Sequence, residues 1–185
     1  TDKSEYLTAL HNHTLPVLLN TEKVEKGDCF FIPAGTVHAI CKGCYIAEIQ
    51  QTSDITYRIY DYDRRDKNGN PRELHTELAT DVINFCEQKQ HSIHYHQHEN
   101  HTEELVSCNY FTTNYLKFDK EVEKDYIELD SFVIYMCLEG NFTLVYDVDK
   151  TVKVNKGETI LVPAILKNLF LIPETEAEIL EIYIR

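Results

Sequence analysis

The stretch from Gly27 to His38 constrains the fold of this chain more than any other, because it joins a short apolar run to two turn-forming residues. Residues 29–32 are apolar and of the length expected for a buried strand. Pro33 cannot donate to a strand ladder, and Gly35 permits the tight turn that follows. A second strand is expected to begin at His38, so that the stretch predicts two strands joined by a tight turn.

The same pattern returns near the end of the chain, where Gly-Glu-Thr-Ile-Leu-Val-Pro-Ala at 157–164 repeats the order of residues 27–34. The first copy has the spacing G-x5-P-x-G-x2-H, which resembles the second conserved motif of cupin barrels, whose histidine is a metal ligand. In the second copy, Ile165 replaces the turn glycine and Asn168 stands in place of the histidine. The repeat therefore predicts two related barrels, the second of them structural and without a metal.

The remaining patterns predict helices around these strands. Two short helices are expected in residues 1–20, capped by Ser4 and Thr14, and a third is expected from Pro71. Its apolar positions recur at helical spacing: Leu74, Leu78, Val82 and Phe85. A hairpin turn is expected at 42–43. Strands are expected at 44–50, 51–64, 105–118, 126–129, 132–138, 142–148, 151–154, 159–162, 166–171 and 178–184.

These elements define the predicted fold class and domains. The fold is expected to be mainly β, with cupin (jelly-roll) barrels: an incomplete first barrel with a helical insert and a complete, degenerate second barrel. The first domain spans residues 1–87 and the second spans 88–185, with a linker at 88–104. Whether Glu48 shares a face with His38 depends on the length of the turn at 42–43 and stays open.

Composition excludes several classes of function. Of the 185 residues, 43% are hydrophobic, which suits a globular chain. The formal net charge of −13 argues against binding to nucleic acid or to an anionic membrane. No apolar run approaches the roughly 20 residues of a membrane span, and no secretory signal is expected. Six sparse cysteines favour reduced thiols and a cytoplasmic location.

The segments that follow the first motif are more specific than the motif itself. After residues 27–40 come AEIQQ at 47–51, SDITYR at 53–58, YDYDR at 60–64 and PRELH at 71–75. Together they resemble the type I mannose-6-phosphate isomerases (phosphomannose isomerases), in particular their short bacterial form. The resemblance implies a zinc-dependent enzyme that interconverts mannose 6-phosphate and fructose 6-phosphate by proton transfer through an enediol.

The resemblance also implies roles for four residues. His38 corresponds to the last zinc-binding histidine and Arg58 to the catalytic arginine, while Glu48 and Asp54 correspond to acidic residues that line the pocket. The other ligands of the single Zn²⁺ are expected upstream, so the chain resembles a C-terminal portion that is inactive alone. Arg64 and Arg72 are further candidates for binding the substrate phosphate.

Other interpretations remain open at this stage. A non-catalytic sugar-binding or sugar-sensing cupin would use the barrel without chemistry. A metal-dependent dioxygenase would need a histidine-rich first motif, which the chain does not show.

The histidines between His91 and His101 suggest a metal cluster, but their polar surroundings are typical of a solvated connection, so adventitious binding is the expectation. Cys41 and Cys44 are expected to be neighbouring strand thiols.

Overall fold

The computed structural model describes residues 1–53, 55–86, 91–148 and 150–185. They form two compact units, Thr1–Ser92 and Ile93–Arg185. The predicted domain limits of 1–87 and 88–185 meet among residues 87–90, outside the described part, and stay a prediction. No helix in the described ranges is long and apolar enough to cross a membrane.

The first unit begins with the two predicted helices. Helix α1 (Lys3–His11) is capped by Asp2, whose carboxylate accepts the Glu5 amide at 2.8 Å while the Glu5 carboxylate accepts the Asp2 amide at 3.2 Å. The predicted cap at Ser4 is wrong because this reciprocal capping box begins the helix two positions earlier. A short 3-10 helix follows at Leu15–Leu18; Thr14 precedes it as predicted, but its side chain makes no capping hydrogen bond.

The predicted strands of the first unit form only in part. Strand β1 (Cys29–Phe30) pairs with β2 (Ser92–Ile93) in a two-stranded sheet. The predicted strands from His38, at 44–50 and at 51–64, are not formed by the described residues there. A strand requires a neighbouring backbone to complete its hydrogen bonds. Among the described residues of these segments, the Arg58 carbonyl accepts from the distant His75 amide, but a single bond of this kind does not make a ladder. The predicted turn at 42–43 is present, with Gly43 at φ 90°.

The predicted helix from Pro71 starts later than expected. Helix α2 spans Thr76–Val82, and Ala79 is its buried residue. Pro71 instead bridges to Arg65, and the His75 amide donates to the Arg58 carbonyl at 2.7 Å. These contacts hold the segment before α2 in a non-helical conformation. The predicted apolar stripe is not the buried face of the helix, since Leu74, Leu78 and Val82 are exposed.

The second unit is built from strands. They are β3 (Thr102–Ser107), β4 (Thr112–Phe118), β5 (Val122–Asp125), β6 (Val133–Asp147), β7 (Lys150–Asn155), β8 (Thr159–Val162) and β9 (Asn168–Tyr183). The predicted strands at 132–138 and 142–148 are one continuous strand, β6, and those at 166–171 and 178–184 are one continuous strand, β9. The predicted strand at 105–118 is two strands. The predicted strand at 126–129 is a turn that follows β5.

Strands β6 and β9 hold the second unit together because each pairs along both of its halves. The first half of β6 pairs with β8 and with the second half of β9, which also pairs with β4, and β4 pairs with β3. The second half of β6 pairs with β7 and with the first half of β9, which also pairs with β5. All pairs are antiparallel. This arrangement confirms the predicted fold class, mainly β with a cupin-type jelly roll.

The core of the second unit draws on both halves of these strands. In β6 the buried residues are Val133, Tyr135 and Cys137 before the bend, and Phe142 and Leu144 after it. The change from odd to even positions follows from irregularities in the ladder between residues 137 and 142. A shift of the register can place one additional residue in a strand, and the side chains that follow it then lie on the opposite face. Both halves of the strand therefore face one core.

Gly140 makes the bend in β6 possible. Its φ is +70°, and a Cβ atom at this position would lie 2.0 Å from the Glu176 carbonyl oxygen.

We expect Gly140→Ala to lower the free energy of unfolding of the second unit by more than about 2 kcal/mol, since left-handed backbone and steric overlap both oppose the methyl group. Urea denaturation followed by circular dichroism measures this loss. Gly157→Ala is the matched control: its φ is +83°, but a Cβ atom there would meet nothing within 4 Å. Equal losses in both variants would contradict the role of the close contact.

Candidate functional site

The turn that carries His38 is held against the end of helix α2. The Asn84 amide donates to the Gly35 carbonyl at 2.9 Å. A Cβ atom on Gly35, whose φ is +84°, would lie 2.7 Å from the Val82 carbonyl oxygen. The glycine of the motif is therefore required both by its backbone conformation and by the close approach of the helix.

The His38 side chain is exposed and is oriented by its own turn. Its Nδ1 lies 2.9 Å from the Thr36 carbonyl oxygen. A carbonyl oxygen can only accept, so Nδ1 carries the proton and Nε2 has a free electron pair in the neutral imidazole. A histidine whose Nδ1–H donates to a backbone carbonyl is a common arrangement among metal ligands.

Arg58 is positioned by His75. The Arg58 amide donates to His75 Nδ1 at 3.1 Å, and the His75 amide donates to the Arg58 carbonyl at 2.7 Å. Because backbone groups of Arg58 make both bonds, its guanidinium is left to other partners; Nη1 donates to the Glu73 carbonyl at 3.4 Å. His75 lies within the segment PRELH, but its positioning role was not predicted.

Asp61 is the centre of the charged groups near Arg58. It is buried and accepts hydrogen bonds from Arg72 through both of its carboxylate oxygens. The Arg64 guanidinium lies 2.9 Å from the same carboxylate. The hydrogen bond from Arg72 and the charges of Arg64, Arg72 and Arg58 hold the pKa of Asp61 below its ordinary value. Two guanidinium groups therefore pair directly with this carboxylate, and the charge of Arg58 acts on it without a direct bond.

Sequence reasoning did not single out Asp61. The sequence feature that could have indicated its role is a carboxylate between two tyrosines, Tyr60 and Tyr62, in a run that carries several arginines. The structure also changes the interpretation of Arg64 and Arg72. Both are engaged with Asp61, so Arg58 is the arginine of the three without a direct ion pair to that carboxylate among the described contacts.

The other predicted site residues are not brought together by described contacts. Glu48 is exposed, and Asp54 lies outside the described residues. No hydrogen bond or ion pair between described residues joins His38, Glu48 and Arg58. Within the described ranges, no three His, Cys, Asp or Glu side chains are grouped so that they could hold a metal ion. His38 thus fits the donor chemistry of one metal ligand, while the described residues do not complete a site.

The histidine-rich segment has local partners of its own. The rings of His96 and His98 are 5.9 Å apart, and His98 Nδ1 lies 2.5 Å from a carboxylate oxygen of Glu103. His91 Nδ1 lies 3.3 Å from the Phe31 carbonyl oxygen. Pairing to a carboxylate and to a backbone carbonyl is an ordinary structural role for histidine, and adventitious metal binding here stays a prediction.

A second polar cluster lies inside the jelly roll, at Glu181. This residue is 2% exposed and lies 3.0 Å from Lys124 Nζ, which also donates to Thr102 Oγ1 at 2.7 Å. Asn114 Nδ2 donates to the other carboxylate oxygen at 2.7 Å, and the Tyr126 hydroxyl donates to Glu181 as well. Burial alone would raise the pKa of Glu181, but these partners lower it below its ordinary value. The sequence signal was a charged residue within the apolar run of β9.

The chain is similar to known proteins in both sequence and structure. No family model matches the chain. Mannose-6-phosphate isomerase ManA of Bacillus subtilis is 35% identical over 165 residues, which are 88% of this chain and 51% of that protein. Mannose-6-phosphate isomerase of Streptococcus mutans is 53% identical over 66 residues, 36% of this chain and 21% of that protein. The crystal structure of the B. subtilis mannose 6-phosphate isomerase superposes with a TM-score of 0.87 at 32% identity, over 99% of this chain and 57% of that one.

The chain is homologous to the mannose-6-phosphate isomerases. The resemblance drawn from residues 27–75 is therefore confirmed. The chain spans about half the length of the curated relatives that it matches. A phosphomannose isomerase structure from Salmonella typhimurium shares the fold at 15% identity, with a TM-score of 0.50.

The buried carboxylate of Asp61 gives this part of the chain a predictable dependence on pH. Its pKa is lower in the folded chain than the ordinary value of 3.8. The stabilisation it provides is therefore complete above that value and is lost as the pH falls through the lower, folded pKa. We expect Asp61→Asn to speed amide hydrogen exchange in residues 61–72 several-fold at pH 7, with the difference from the parent chain shrinking on acidification.

The matched control is Asp63→Asn on the same loop. Asp63 is exposed and pairs with Arg65 at 3.1 Å, also at the surface. Exposed pairs of this kind contribute little, so exchange should change little in this variant. A similar acceleration in both variants would contradict the central role of Asp61.

Proposed function

We propose that this chain forms part of an aldose–ketose isomerase that interconverts mannose 6-phosphate and fructose 6-phosphate in the cytoplasm. The observation that carries the proposal is the match to mannose-6-phosphate isomerases over 88% of the chain. The grouping of Arg58, Arg64 and Arg72 near Asp61 supports it, because a phosphorylated substrate needs positively charged side chains in a chain of net charge −13.

The reaction moves a proton between C1 and C2 of the sugar, and it needs a base near C2 and positive charge near the oxygen atoms. We assign Arg58 to the second task, since Arg64 and Arg72 are engaged with Asp61. Glu48 and Asp54 are the acidic candidates for the pocket. The exposed position of Glu48 makes it available to a substrate or to a further chain segment.

The family implies a zinc ion, and His38 would be one of its ligands through Nε2. When bound, zinc would polarise the oxygen atoms at C1 and C2 of the sugar. The role of this chain is to hold the His38 ring in one orientation through the Thr36 carbonyl. The remaining ligands are not among the described residues, and we expect this chain alone to bind zinc weakly.

All six cysteines are free thiols: Cys29, Cys41, Cys44, Cys86, Cys108 and Cys137. Three of them are exposed, including Cys41 and Cys44 on either side of the turn at 42–43. Exposed reduced thiols persist in a reducing compartment, which supports the cytoplasmic part of the proposal.

A coupled isomerase assay on two proteins tests the proposal. One is the 185-residue chain; the other is a chimera in which this chain replaces its matching part of the B. subtilis enzyme. We expect turnover of mannose 6-phosphate by the chimera only, lost with a chelator and restored by zinc. A folded chimera that binds the sugar phosphate without turnover would favour the sugar-binding alternative. Turnover by this chain alone would overturn the expectation that it is inactive.

A further inference from the structure

His75 makes both of the bonds to Arg58 that a residue of a partner strand would make. Two residues that form a hydrogen-bonded pair in antiparallel strands exchange both of their N–H···O bonds. Here the His75 amide donates to the Arg58 carbonyl at 2.7 Å, but the Arg58 amide donates to Nδ1 of the His75 ring at 3.1 Å. The His75 carbonyl instead accepts the Ala79 amide at 2.9 Å, at the start of helix α2. The ring therefore takes the place of a backbone acceptor.

This bond defines the protonation state of the His75 ring. An amide N–H can only donate, so Nδ1 must have the free electron pair, and the proton of the neutral ring lies on Nε2. A protonated ring has an N–H at both nitrogens and can no longer accept. On protonation, two donors would face each other and the Arg58 amide would lose its acceptor. Histidine is the side chain that ordinarily takes up a proton between about pH 8 and about pH 5.

The side chains around His75 do not share this change of charge. The titratable or charged side chains in residues 57–58 and 73–77, the segments that contact or adjoin the ring, are Tyr57, Arg58, Glu73 and Glu77. The Tyr57 ring centre lies 6.1 Å from that of His75. Tyrosine, arginine and glutamate side chains ordinarily keep one charge state between about pH 5.5 and about pH 7.5. The pH dependence of this contact is therefore that of the imidazole.

The position of the Arg58 guanidinium depends on its own backbone. Nη1 donates to the Glu73 carbonyl at 3.4 Å, which is long for a hydrogen bond. The bond from Arg72 to Asp61 also ties the two segments together, but it holds the chain three residues beyond Arg58. A displacement of about 1 Å in a catalytic group can lower a rate roughly 100-fold. The bond to the His75 ring thus fixes the atoms from which the Arg58 side chain extends.

We propose that His75 is a positioning residue that must be neutral for Arg58 to act, and that its protonation lowers turnover in acid. The inference rests on the proposed function, in which Arg58 stabilises the negative charge that develops on the sugar oxygens. The sign follows from the bond itself: Arg58 is held while the His75 ring is neutral and is released as the pH falls and the ring takes up a proton.

The test compares kcat and KM in the chimera of the isomerase assay at about pH 7.5 and about pH 5.5. His75→Asn offers Oδ1 close to the position of Nδ1 and does not titrate. We expect its kcat to be within about threefold of the parent chimera at the higher pH, and its ratio to the parent to rise at least about threefold at the lower pH. His75→Leu has no acceptor and should lower kcat roughly 10- to 100-fold at the higher pH, with little change in KM. The ratio cancels acid losses that the chimeras share.

The 185-residue chain gives a measurement that does not depend on activity. Nitrogen-15 NMR is expected to show Nδ1 as the unprotonated nitrogen of the His75 ring at about pH 7.5. Hydrogen exchange of the Arg58 amide should be slow relative to its intrinsic rate. This protection should fall several-fold on acidification in the parent chain but not in His75→Asn.

His13→Asn is the matched control, because His13 is exposed and its φ of 56° is one that asparagine readily adopts. Its pH profile should equal that of the parent. The inference is overturned by a proton on Nδ1 of the neutral His75 ring, by parental kcat in His75→Leu, or by the same ratio of kcat for His75→Asn at both pH values. An inactive parent chimera contradicts the proposed function instead, and exchange of the Arg58 amide then upholds or overturns the pH-dependent hold on Arg58.

Discussion

Lys124→Met is expected to lower the free energy of unfolding of the jelly-roll unit by about 3–5 kcal/mol. The substitution keeps the length of the side chain but removes the cation that lies 3.0 Å from the buried carboxylate of Glu181. Asn114 and Tyr126 would still donate to that carboxylate, but neither carries a charge. A buried carboxylate without its counter-ion must either remain charged at a high cost or take up a proton. Urea denaturation followed by near-ultraviolet circular dichroism measures the loss.

A second substitution identifies the cause of this loss. Lys124→Met combined with Glu181→Gln removes both charges and keeps an amide that can accept from Asn114. We expect the double variant to recover more than half of the stability lost by Lys124→Met alone. Lys153→Met is the surface control, because Lys153 pairs with Glu174 where both side chains are about half exposed. A loss in the Lys153 variant equal to that of Lys124→Met, or no recovery in the double variant, would contradict the importance of the buried pair.

Arg58→Ala is expected to reduce kcat about 100- to 1000-fold in the chimera described above, as is typical for removing one group that stabilises developing negative charge. Folding should be largely unaffected, since the contacts that hold Arg58 to His75 are made by its backbone amide and carbonyl. The coupled isomerase assay gives kcat and KM, and thermal unfolding gives the stability of the same preparations.

Arg65→Ala is the matched control for this prediction. Arg65 lies on the neighbouring loop and pairs with Asp63 and with the Gly69 carbonyl at the surface. Its loss should leave kcat within about twofold. If Arg58→Ala reduced the yield of folded protein but left turnover per folded molecule unchanged, the arginine would be structural and the proposed role wrong.

The fold of the second unit was predictable because its strands carry clear apolar patterns between polar turns. The pattern failed where a strand passes through a bend. At Gly140 the buried positions of β6 change parity, so sequence alternation indicated two strands where the structure has one. At 126–129, aromatic and branched residues favoured a strand, but the Ile127 amide is taken by the Asp125 carboxylate at 2.9 Å, and a turn forms.

The candidate site was less predictable for a different reason. The position of His38 in a glycine-containing turn is local information, and the sequence carries it. The grouping of three arginines around Asp61 depends on how Pro71–His75 folds back on Arg58, and the helical spacing of Leu74, Leu78 and Val82 pointed to the wrong conformation there. Contacts between distant segments do not follow from the spacing of either one.

The two long strands of the jelly roll, β6 and β9, also determine how this unit unfolds. Strands β6 and β9 each run through both halves of the sheet. Neither half can therefore open without breaking backbone hydrogen bonds in the other. Unfolding of this unit is therefore cooperative, and its amides should exchange with one common free energy. No described residue from 39 to 53 makes a backbone hydrogen bond to another described segment, so we expect a protease to cut there first and leave the jelly roll as a resistant product.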